Sequence, residues 1–289
     1  MRIGFIGAGK VATAFGRYLY GHGLSISGYF DRHAEKVARA SKNTQSRPYP
    51  DAPTVAQHSD IVLITTRDDQ IAGVCEDLCR RNCIGAHHLL GHMSGAHSSR
   101  ILGDATRLGA SVFSLHPLQA FADEDKALAE LPETYFSLEG EAERLQPVRQ
   151  ILAQIGNRYF LISPEHKSLY HLSACILSNY LVTLMDSGLA ALEKSGIDPR
   201  EGFQAMRPLI EGTLSNIARM GPARALTGPI ARGDAGTIEQ HLHALKSSGL
   251  EEIESLYRHL GLQTLRLARQ SVLSSSEKSM AVRHSLQSK

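Results

Sequence analysis

A histidine in the middle of the chain lies where a side chain could transfer protons. His116 follows the apolar run 110–115 and precedes Pro117, which keeps the preceding residue out of the helical conformation at the end of a predicted strand. An unperturbed imidazole has a pKa of about 6.5, so it can exchange protons near neutral pH. Ser94 ends another predicted strand beside Gly95, where the lack of a side chain lets a ligand approach. His116 and Ser94 are therefore candidate catalytic residues, with a structural strand-end histidine as the alternative.

A second polar group falls on a predicted helix that begins near Ser163. Lys167 and His171 are four residues apart and share one helix face. Ser178, seven residues beyond His171, lies close to that face, and the next residue, Asn179, is a candidate for substrate binding. The other positions of this helix are mostly apolar, and polar groups in such a helix usually line a cavity. Lys167 could polarise a substrate oxygen or bind a carboxylate. A solvated charge at the start of the helix is the alternative for Lys167.

The N-terminus carries the pattern G-x-G-x-x-A directly after the apolar run 3–6. Gly7 allows a tight turn from strand to helix, Gly9 lets a pyrophosphate approach the backbone, and the small Ala12 lets the helix pack closely on the strand. The N–H groups at the helix start would face the phosphates. The pattern predicts a dinucleotide site, with a glycine turn in an unliganded α/β domain as the alternative. The expected contacts come from Gly7, Ala8, Gly9, Lys10 and Val11.

Two neighbouring residues at the end of the second predicted strand favour different dinucleotides. Asp31 can accept hydrogen bonds from ribose hydroxyls, which suits NAD, whereas Arg32 could form a paired contact with the 2′-phosphate of NADP. Lys10 favours the phosphate, because a cation in the first turn of a helix opposes the dipole unless an anion lies beside it. Solvated surface positions are the alternative for both cations. The sequence favours NADP, with NAD possible.

Thr65 and Thr66 end a further apolar, strand-like run. They lie at the carboxyl end of a predicted strand, the edge at which such sheets bind ligands, and could contact the ribose and phosphate of the cofactor. Asp68 or Asp69 could cap the helix that follows, and the two roles are compatible.

The order of the predicted elements explains how these residues could meet. Through residue 162, strand-like and helix-like segments alternate, which predicts an α/β fold with a mainly parallel, doubly wound sheet. From residue 163 the pattern is helical. We therefore predict a Rossmann domain at 1–162 and a helical substrate and dimerisation domain at 163–289, with a weakly ordered tail after about Gln270.

The composition argues against several classes of partner. The chain has 289 residues, 42% of them hydrophobic, which is enough for two domains with sizeable cores. Its 31 Lys and Arg nearly balance 29 Asp and Glu, so the formal charge of +2 gives no footprint for nucleic acid or an anionic membrane. No apolar stretch approaches the ~20 residues of a membrane span, and the chain starts directly in a strand rather than in a signal peptide. We expect a cytoplasmic protein.

Three cysteines recur every four residues in a predicted helix. With His87 and His88 downstream, Cys75, Cys79 and Cys83 could be drawn as a metal site, but their spacing differs from that of known zinc motifs. They fit the apolar stripe of an amphipathic helix instead. We expect reduced thiols and no bound metal.

Several motifs together resemble a known family. They are His92-Met93-Ser94-Gly95-Ala96, residues 114–119, residues 167–171 with 178–181, and the block 225–234, which reads Ala-Leu-Thr-Gly-Pro-Ile-Ala-Arg-Gly-Asp. They resemble the Rossmann-like family with a DUF2520 C-terminal domain, within the 6-phosphogluconate-dehydrogenase-like superfamily that includes pyrroline-5-carboxylate reductase and prephenate dehydrogenase. The resemblance covers nearly the whole chain and implies a Rossmann fold, an NAD(P) cofactor and an oxidoreductase activity.

The resemblance also implies roles for individual residues. The pair His116-Pro117 is similar to the His-Pro of prephenate dehydrogenases, whose histidine handles the proton of the substrate hydroxyl, and Ser94 falls where those enzymes have a nearby serine. Lys167 matches a lysine of related hydroxyacid dehydrogenases. His171 stands where those enzymes have an asparagine, so their substrate does not transfer to this chain.

The block at 225–234 supplies two substrate candidates, Thr227 and Arg232. The fork of a guanidinium suits a carboxylate, and a salt bridge with Asp234 is the alternative. We expect a homodimeric NAD(P)-dependent oxidoreductase that transfers hydride between nicotinamide and a small carbonyl, hydroxyl or imine substrate in a cleft between the domains. The competing hypothesis is a dinucleotide-binding sensor or assembly protein without turnover.

Overall fold

The chain folds into two compact units. The structure, a computed structural model, describes residues 1–288. The first unit is Met1–Leu177 and the second begins at Ser178. The first unit contains the sheet and extends past residue 162, so the start of the helical region folds with the sheet.

The first unit is built on one sheet, with strands β1 (Arg2–Ile6), β2 (Ser25–Phe30), β3 (Arg47–Pro48), β4 (Ile61–Ile64), β5 (Leu89–His92), β6 (Ser111–Pro117), β7 (Phe136–Gly140) and β8 (Tyr159–Leu161). Within residues 1–288, these eight strands lie in the order β3-β2-β1-β4-β5-β6-β7-β8. Neighbouring strands are parallel except β6 and β7. The strand order reverses direction at β1, as in doubly wound folds, which confirms the predicted α/β class.

Helices pack on the sheet and bury its strands. They are α1 (Lys10–Gly21), α2 (Ala34–Asn43), α3 (Ala52–Gln57), α4 (Ile71–Arg80), α5 (Gly103–Arg107), α6 (Glu124–Glu130), α7 (Gln146–Gln154) and α8 (Lys167–Ala174). Two hydrophobic clusters hold these layers together, one around Phe5, Phe15 and Phe136 and the other around Ile64 and Leu90. Because β1, β4, β5 and β6 are parallel, their carboxyl ends meet at one edge of the sheet, which is where the candidate site lies.

The sequence prediction missed β3, α3 and α6. These elements are short, with two, six and seven residues, so they show too little periodicity to be recognised. Local capping fixes the two helices, because the carboxylates of Asp51 and Asp123 accept hydrogen bonds from the backbone N–H groups of Thr54 and Lys126.

The cysteines of α4 belong to the hydrophobic core, as predicted. Cys75 is buried beside Ile71 and Leu78, and Cys79 packs against the same cluster. Burial raises the pKa of Cys75 to about 12, which keeps this thiol protonated and unreactive. Within residues 1–288, no group of three or more His, Cys, Asp or Glu side chains is arranged to hold a metal ion.

The second unit is helical. Its helices are α9 (Tyr180–Lys194), α10 (Pro199–Met220), α11 (Pro222–Ala225), α12 (Pro229–Arg232), α13 (Ala235–Ser247), α14 (Glu251–Ala268) and α15 (Ser276–Gln287). The sequence pattern suggests two helices between residues 199 and 219, but α10 is continuous and contains Pro208. A proline removes one helical hydrogen bond without necessarily ending the helix.

The expectation of a weakly ordered tail after Gln270 is wrong. Residues 276–287 form α15, which packs on α13 and α14. Val282 and Leu286 are buried in the core of the second unit, and Ser279 and Ser285 are buried with them. The low apolar content of the tail is misleading, because a few apolar residues at helical spacing, with small serines between them, suffice to form a packing face.

The expectation that no apolar stretch is long enough to cross a membrane is also wrong for one segment. The helical stretch Pro164–Lys194 reaches that length, and its most apolar window has a mean hydropathy of 1.4 with none of the window buried. Its interruptions are mainly uncharged Ser, Asn, His and Tyr residues, which break the apolar pattern without adding charge. A single helix of this kind is weak evidence for a membrane span, because it rests on length and composition alone.

Candidate functional site

The glycine turn after β1 leaves open space where the sequence predicts a pyrophosphate. Gly7 has a φ of +111°, and a Cβ built on it would lie 2.7 Å from the backbone of Thr65, so the turn requires glycine. Gly9 caps α1 without a side-chain hydrogen bond. Within residues 1–288, a Cβ built on Gly9 would have no atom within 4 Å apart from those of the adjoining residues of the chain. The N–H groups of the first turn of α1 therefore adjoin space that an anionic ligand can fill.

This turn opens into a pocket of about 670 Å³ lined from the ends of β1, β2 and β4. Arg32, His33, Lys36 and Arg67 line this pocket, together with Asp31. The pocket has the size of a small-molecule site, and its basic side chains suit a phosphate group. Lys36 and Arg67 were not predicted as cofactor residues. The position of Lys36, five residues after Asp31 in the first turn of α2, could have indicated a phosphate contact.

Two of the predicted cofactor residues make bonds within the protein. The carboxylate of Asp31 accepts hydrogen bonds from the backbone N–H of Ala8 at 2.9 Å and of His33 at 3.0 Å. Burial opposes ionisation of Asp31, but these bonds outweigh it and lower the pKa of the carboxyl. The ammonium of Lys10 donates to the carbonyl oxygen of Ala122 at 2.5 Å. Asp31 thus fixes the glycine turn, and Lys10 ties α1 to the segment before α6.

The threonines after β4 support the same turn. The hydroxyl of Thr65 donates to the carbonyl oxygen of Gly7 at 3.0 Å, and both Thr65 and Thr66 line the pocket. Val11 is half-buried against the hydrophobic core of the sheet. Thr65 therefore holds the glycine turn in place. The Thr66 hydroxyl makes only a 3.4 Å contact with the carbonyl oxygen of Arg67, so its bonding capacity is the less used of the two.

Two imidazole rings converge on Gly95, the glycine after β5. A Cβ built on Gly95 would lie 2.8 Å from His116 Nε2 and 2.6 Å from His171 Nδ1. The two ring planes are nearly perpendicular, with centroids 6.2 Å apart. His171 Nδ1 is buried and has no hydrogen-bond partner among residues 1–288. A substrate atom that approached Gly95 from its side-chain direction would meet a ring nitrogen of each histidine.

Tyr170 holds the other nitrogen of His116. Its hydroxyl lies 2.7 Å from His116 Nδ1. The bond leaves Nε2 directed at Gly95. Burial, aided by the positive charge of Lys167, lowers the pKa of His116 to about 4, so the ring is neutral near pH 7. Tyr170 was not predicted as a site residue, although it lies three residues after Lys167 on the same helix.

Lys167 is buried in the first unit, which argues against the solvated-charge alternative. Only 1% of its surface is exposed, and its Nζ lies 3.4 Å from the hydroxyl oxygen of Ser137. Burial lowers the pKa of Lys167 to about 8, and the negative charge of the buried Glu139 opposes this effect in part. The carboxylate of Glu139 itself accepts a hydrogen bond from the hydroxyl of Ser99 at 2.8 Å.

Ser94 stabilises the loop that carries Gly95. Its hydroxyl donates to the carboxylate of Asp68 at 2.8 Å and accepts from the backbone N–H groups of Ala96 and His97 at 3.1 and 3.3 Å. These bonds occupy the hydroxyl, so Ser94 orients the loop. Because Asp68 follows Arg67 in the chain, the same bond links this loop to the rim of the dinucleotide-type pocket.

Three predicted substrate residues lie in the second unit. Asn179, Thr227 and Arg232 are exposed. Asp234, offered as a salt-bridge partner of Arg232, instead caps α13 by accepting from the backbone N–H of Thr237 at 3.0 Å and from its hydroxyl at 2.7 Å. The structure thus groups His116, Lys167, His171 and Ser94 within the first unit, and it leaves the roles of the exposed three as predictions.

The sheet and the glycine-lined pocket define a Rossmann-like protein with an additional helical unit. More particularly, residues 1–117 match the model of the Rossmann-like domain, and residues 134–264 match the Domain of unknown function (DUF2520). The chain therefore combines a Rossmann-like domain with a DUF2520 domain, and the resemblance inferred from its motifs is confirmed.

Solved structures with the same fold are known from bacteria and a fungus. A candidate NADP oxidoreductase from Bacteroides fragilis is 22% identical, with a TM-score of 0.71, and the match covers 89% of this chain and 96% of that one. A Thermotoga maritima protein is 26% identical, with a TM-score of 0.69 and coverage of 93% and 98%. A reductive aminase from Aspergillus terreus, in complex with NADPH and ethyl levulinate, is 16% identical, with a TM-score of 0.67 and coverage of 98% of both chains. A search of the curated proteins gives no significant match.

Proposed function

We propose that the chain is an oxidoreductase that transfers hydride between NADP and the carbon of a small carbonyl, hydroxyl or imine substrate. The observation that carries the proposal is the convergence of His116 Nε2 and His171 Nδ1 on Gly95, on a loop bonded to the rim of the glycine-turn pocket. Reduction or oxidation at such a carbon needs both a hydride carrier and a group that moves a proton at the heteroatom. The first unit offers a binding place for the former and ring nitrogens for the latter.

The preference for NADP rests on the charge of the pocket. Arg32, Lys36 and Arg67 line the same pocket as Asp31, and charge-assisted bonds to a 2′-phosphate are among the stronger polar contacts. The carboxylate of Asp31 already accepts bonds from Ala8 and His33, which occupies part of its capacity to bind ribose hydroxyls. Lys10, which the sequence analysis used in favour of NADP, bonds to a backbone carbonyl and adds nothing to this case.

When bound, the nicotinamide supplies or accepts the hydride. His116 is neutral near pH 7. We assign the Tyr170 hydroxyl as the donor to Nδ1, so that His116 carries its proton on Nε2, where it can donate to a substrate heteroatom. The buried Nδ1 of His171 offers a second polar contact to the same atom. Gly95 keeps the space between the two rings accessible.

An imine or carbonyl substrate is favoured over other classes within this proposal. A neutral imidazole that donates a hydrogen bond polarises a C=O or C=N group without requiring a negative charge on the substrate. The fold is shared with a reductive aminase whose structure contains NADPH and a keto ester, ethyl levulinate. The same donor would serve either a carbonyl or an imine nitrogen.

Calorimetry with NADPH and NADH on the full chain tests cofactor binding. The variant Gly9→Ala places a methyl group where residues 1–288 leave space, so it should weaken binding of both dinucleotides without changing the melting temperature. Gly21→Ala is the matched control, because it adds a methyl group to open space at the other end of α1. Unchanged affinity in Gly9→Ala would contradict binding at the glycine turn.

A substrate screen then tests turnover. The purified chain is mixed with NADPH, small ketones, and ketones with small primary amines, and the loss of NADPH absorbance is followed. Ketone-dependent loss supports carbonyl reduction, and loss that also needs the amine supports imine reduction. Tight NADPH binding without oxidation across the screen would favour the competing sensor or assembly role.

A further inference from the structure

Asp31, the acid that follows β2, is occupied by three hydrogen bonds from its own chain. Its Oδ2 accepts from the backbone N–H of Ala8 at 2.9 Å, and its Oδ1 lies 3.0 Å from the backbone nitrogen and 2.8 Å from the ring Nδ1 of His33. Burial raises the pKa of Asp31, but the hydrogen bonds lower it more strongly, so the carboxyl is ionised near pH 7. A carboxylate only accepts hydrogen bonds, which identifies His33 Nδ1 as a donor.

The backbone of His33 is fixed at the start of α2. Its carbonyl oxygen accepts from the backbone N–H groups of Lys36 at 3.1 Å and Val37 at 3.3 Å. A side chain at this position before a helix usually bonds an N–H of that helix, but the ring of His33 makes no such bond. The ring bonds back to Asp31 instead, so it links the start of α2 to the acid at the end of β2.

These bonds leave Asp31 with little capacity for a ribose. A carboxylate has about four lone-pair positions, and the three bonds use both positions of Oδ1 and one of Oδ2. An acid at this place in a dinucleotide-binding fold bonds the ribose 2′-hydroxyl of NAD. Of the three donors to Asp31, only the His33 ring belongs to a side chain, so the side chain at position 33 sets how much of the carboxylate is free.

We infer that His33 determines the cofactor preference of the glycine-turn pocket by occupying the carboxylate of Asp31 that would otherwise bind the ribose. This inference rests on the proposed function, because it explains how a pocket with an acid at the end of β2 accepts the 2′-phosphate of NADP. The ring acts through Asp31, so His33 is a positioning residue. Arg32, Lys36 and Arg67, which line the same pocket, are the charged contacts available to the phosphate.

Two substitutions separate this role from a direct contact between the ring and the cofactor. His33 itself lines the pocket, so direct contact is the alternative. His33→Ala removes the whole ring. His33→Asn keeps an N–H donor at the same number of bonds from the backbone as Nδ1 and removes the rest of the ring. The side chain of His33 is 53% exposed, so neither substitution leaves a buried cavity.

Calorimetry on the full chain with NADPH and NADH measures the preference. His33→Ala should bind NADH several-fold more tightly than the wild type, because Oδ1 regains a position for a ribose hydroxyl. It should bind NADPH more weakly, because a less occupied carboxylate opposes the 2′-phosphate. A gain in NADH affinity cannot come from damage to the fold. His33→Asn should keep the wild-type ratio of the two affinities.

His259→Ala is the matched control. It removes an exposed ring of the second unit, which donates to the carbonyl oxygen of Ser255 and lies outside the pocket, so it should change neither affinity. If the wild type binds NADPH and His33→Ala keeps the wild-type ratio, the inference is overturned and the oxidoreductase proposal stands. An equal loss of preference in His33→Ala and His33→Asn also overturns it, because the ring would then contact the cofactor directly. No binding of either dinucleotide by the wild type would contradict the proposed function and, with it, the inference.

Nuclear magnetic resonance of the unliganded chain supplies a test that needs no cofactor. The ring nitrogens of His33, assigned by their absence in His33→Asn, should report a proton on Nδ1. A neutral ring with its proton on Nε2 alone would overturn the inference, because Nδ1 could then not donate to Asp31.

Discussion

His116 should stay uncharged in the folded chain down to about pH 5. The free energy of unfolding should therefore decrease as the solution becomes acidic. Burial is the main cause that lowers the pKa of this ring to about 4, with the charge of Lys167 second, whereas a histidine in an unfolded chain titrates near about 6.5. Above about pH 6.5 the ring is neutral in both states and contributes no pH dependence. As the pH decreases from there to about 4, the unfolded state binds a proton that the folded state does not, so the free energy of unfolding decreases.

The magnitude follows from the two pKa values. A pH of about 5 lies about 1.5 units below the pKa of the ring in the unfolded chain, whereas the ring in the folded chain is still neutral. This difference lowers the free energy of unfolding by about 2 kcal/mol. His116→Asn removes this contribution. Its free energy of unfolding should therefore decrease by about 2 kcal/mol less than that of the wild type between about pH 8 and pH 5. His92, whose pKa burial also lowers to about 4, is present in both proteins and cancels.

Urea unfolding of both proteins at the two pH values measures this difference. Comparing each protein with itself removes the packing and hydrogen-bonding cost of the substitution, including the lost bond to Tyr170. The ring signal of His116 supplies an independent check and should not titrate between about pH 5.5 and 8. Equal decreases in the two proteins, or a ring that titrates near 6.5, would refute the neutral-imidazole mechanism.

Three other outcomes are expected. Gly95→Ala places a methyl group within 3 Å of both imidazole nitrogens, so it should abolish turnover while NADPH affinity is retained; full activity would exclude a substrate at that position. Arg32→Ala should weaken NADPH binding about 10- to 100-fold and leave NADH binding unchanged, whereas Arg39→Ala, whose guanidinium pairs with an acid of α6, should change neither. Val182 and Leu209 are 69% and 67% exposed, which favours burial against a second copy of the chain. Light scattering should therefore give twice the chain mass, Val182→Asp should give a monomer, and a monomeric wild type would contradict the homodimer.

The parts of the fold that follow from local patterns could be predicted. The strands that carry the site are near-continuous apolar runs, because both faces of a parallel sheet are covered, and their carboxyl ends supplied His116, Thr65 and the Gly95 loop. The order of the tail after Gln270 could not be recognised from composition, because the burial of Val282 depends on how α15 packs on α13 and α14. Local periodicity gives the face of a helix and says little about how deeply that face is buried.

The candidate site shows the same limit at the level of single residues. Lys167 and His171 both lie on α8, as predicted, but their helical spacing could not show that the His171 ring reaches Gly95 while the Lys167 ammonium lies beside Ser137 of β7. Ser94 was predicted to be catalytic from its position at a strand end. In the structure its hydroxyl donates to Asp68 and accepts from the backbone N–H of Ala96 in its own loop. Hydroxyl groups bond readily to nearby backbone, so a serine at a strand end is weaker evidence of catalysis than an imidazole.

Ser137 gave no signal in the sequence, and the reason lies in the topology of the sheet. It faces His116 only because β7 runs antiparallel to β6, which sets Ser137 opposite His116 across a connection that includes α6. A register shifted by one residue would turn the Ser137 side chain to the other face of the sheet and leave Lys167 without its hydroxyl partner. The antiparallel pair therefore does more than extend the sheet, because it sets the hydroxyl partner of the Lys167 ammonium opposite His116 on the neighbouring strand. That placement depends on a single non-local register, which no local spacing encodes.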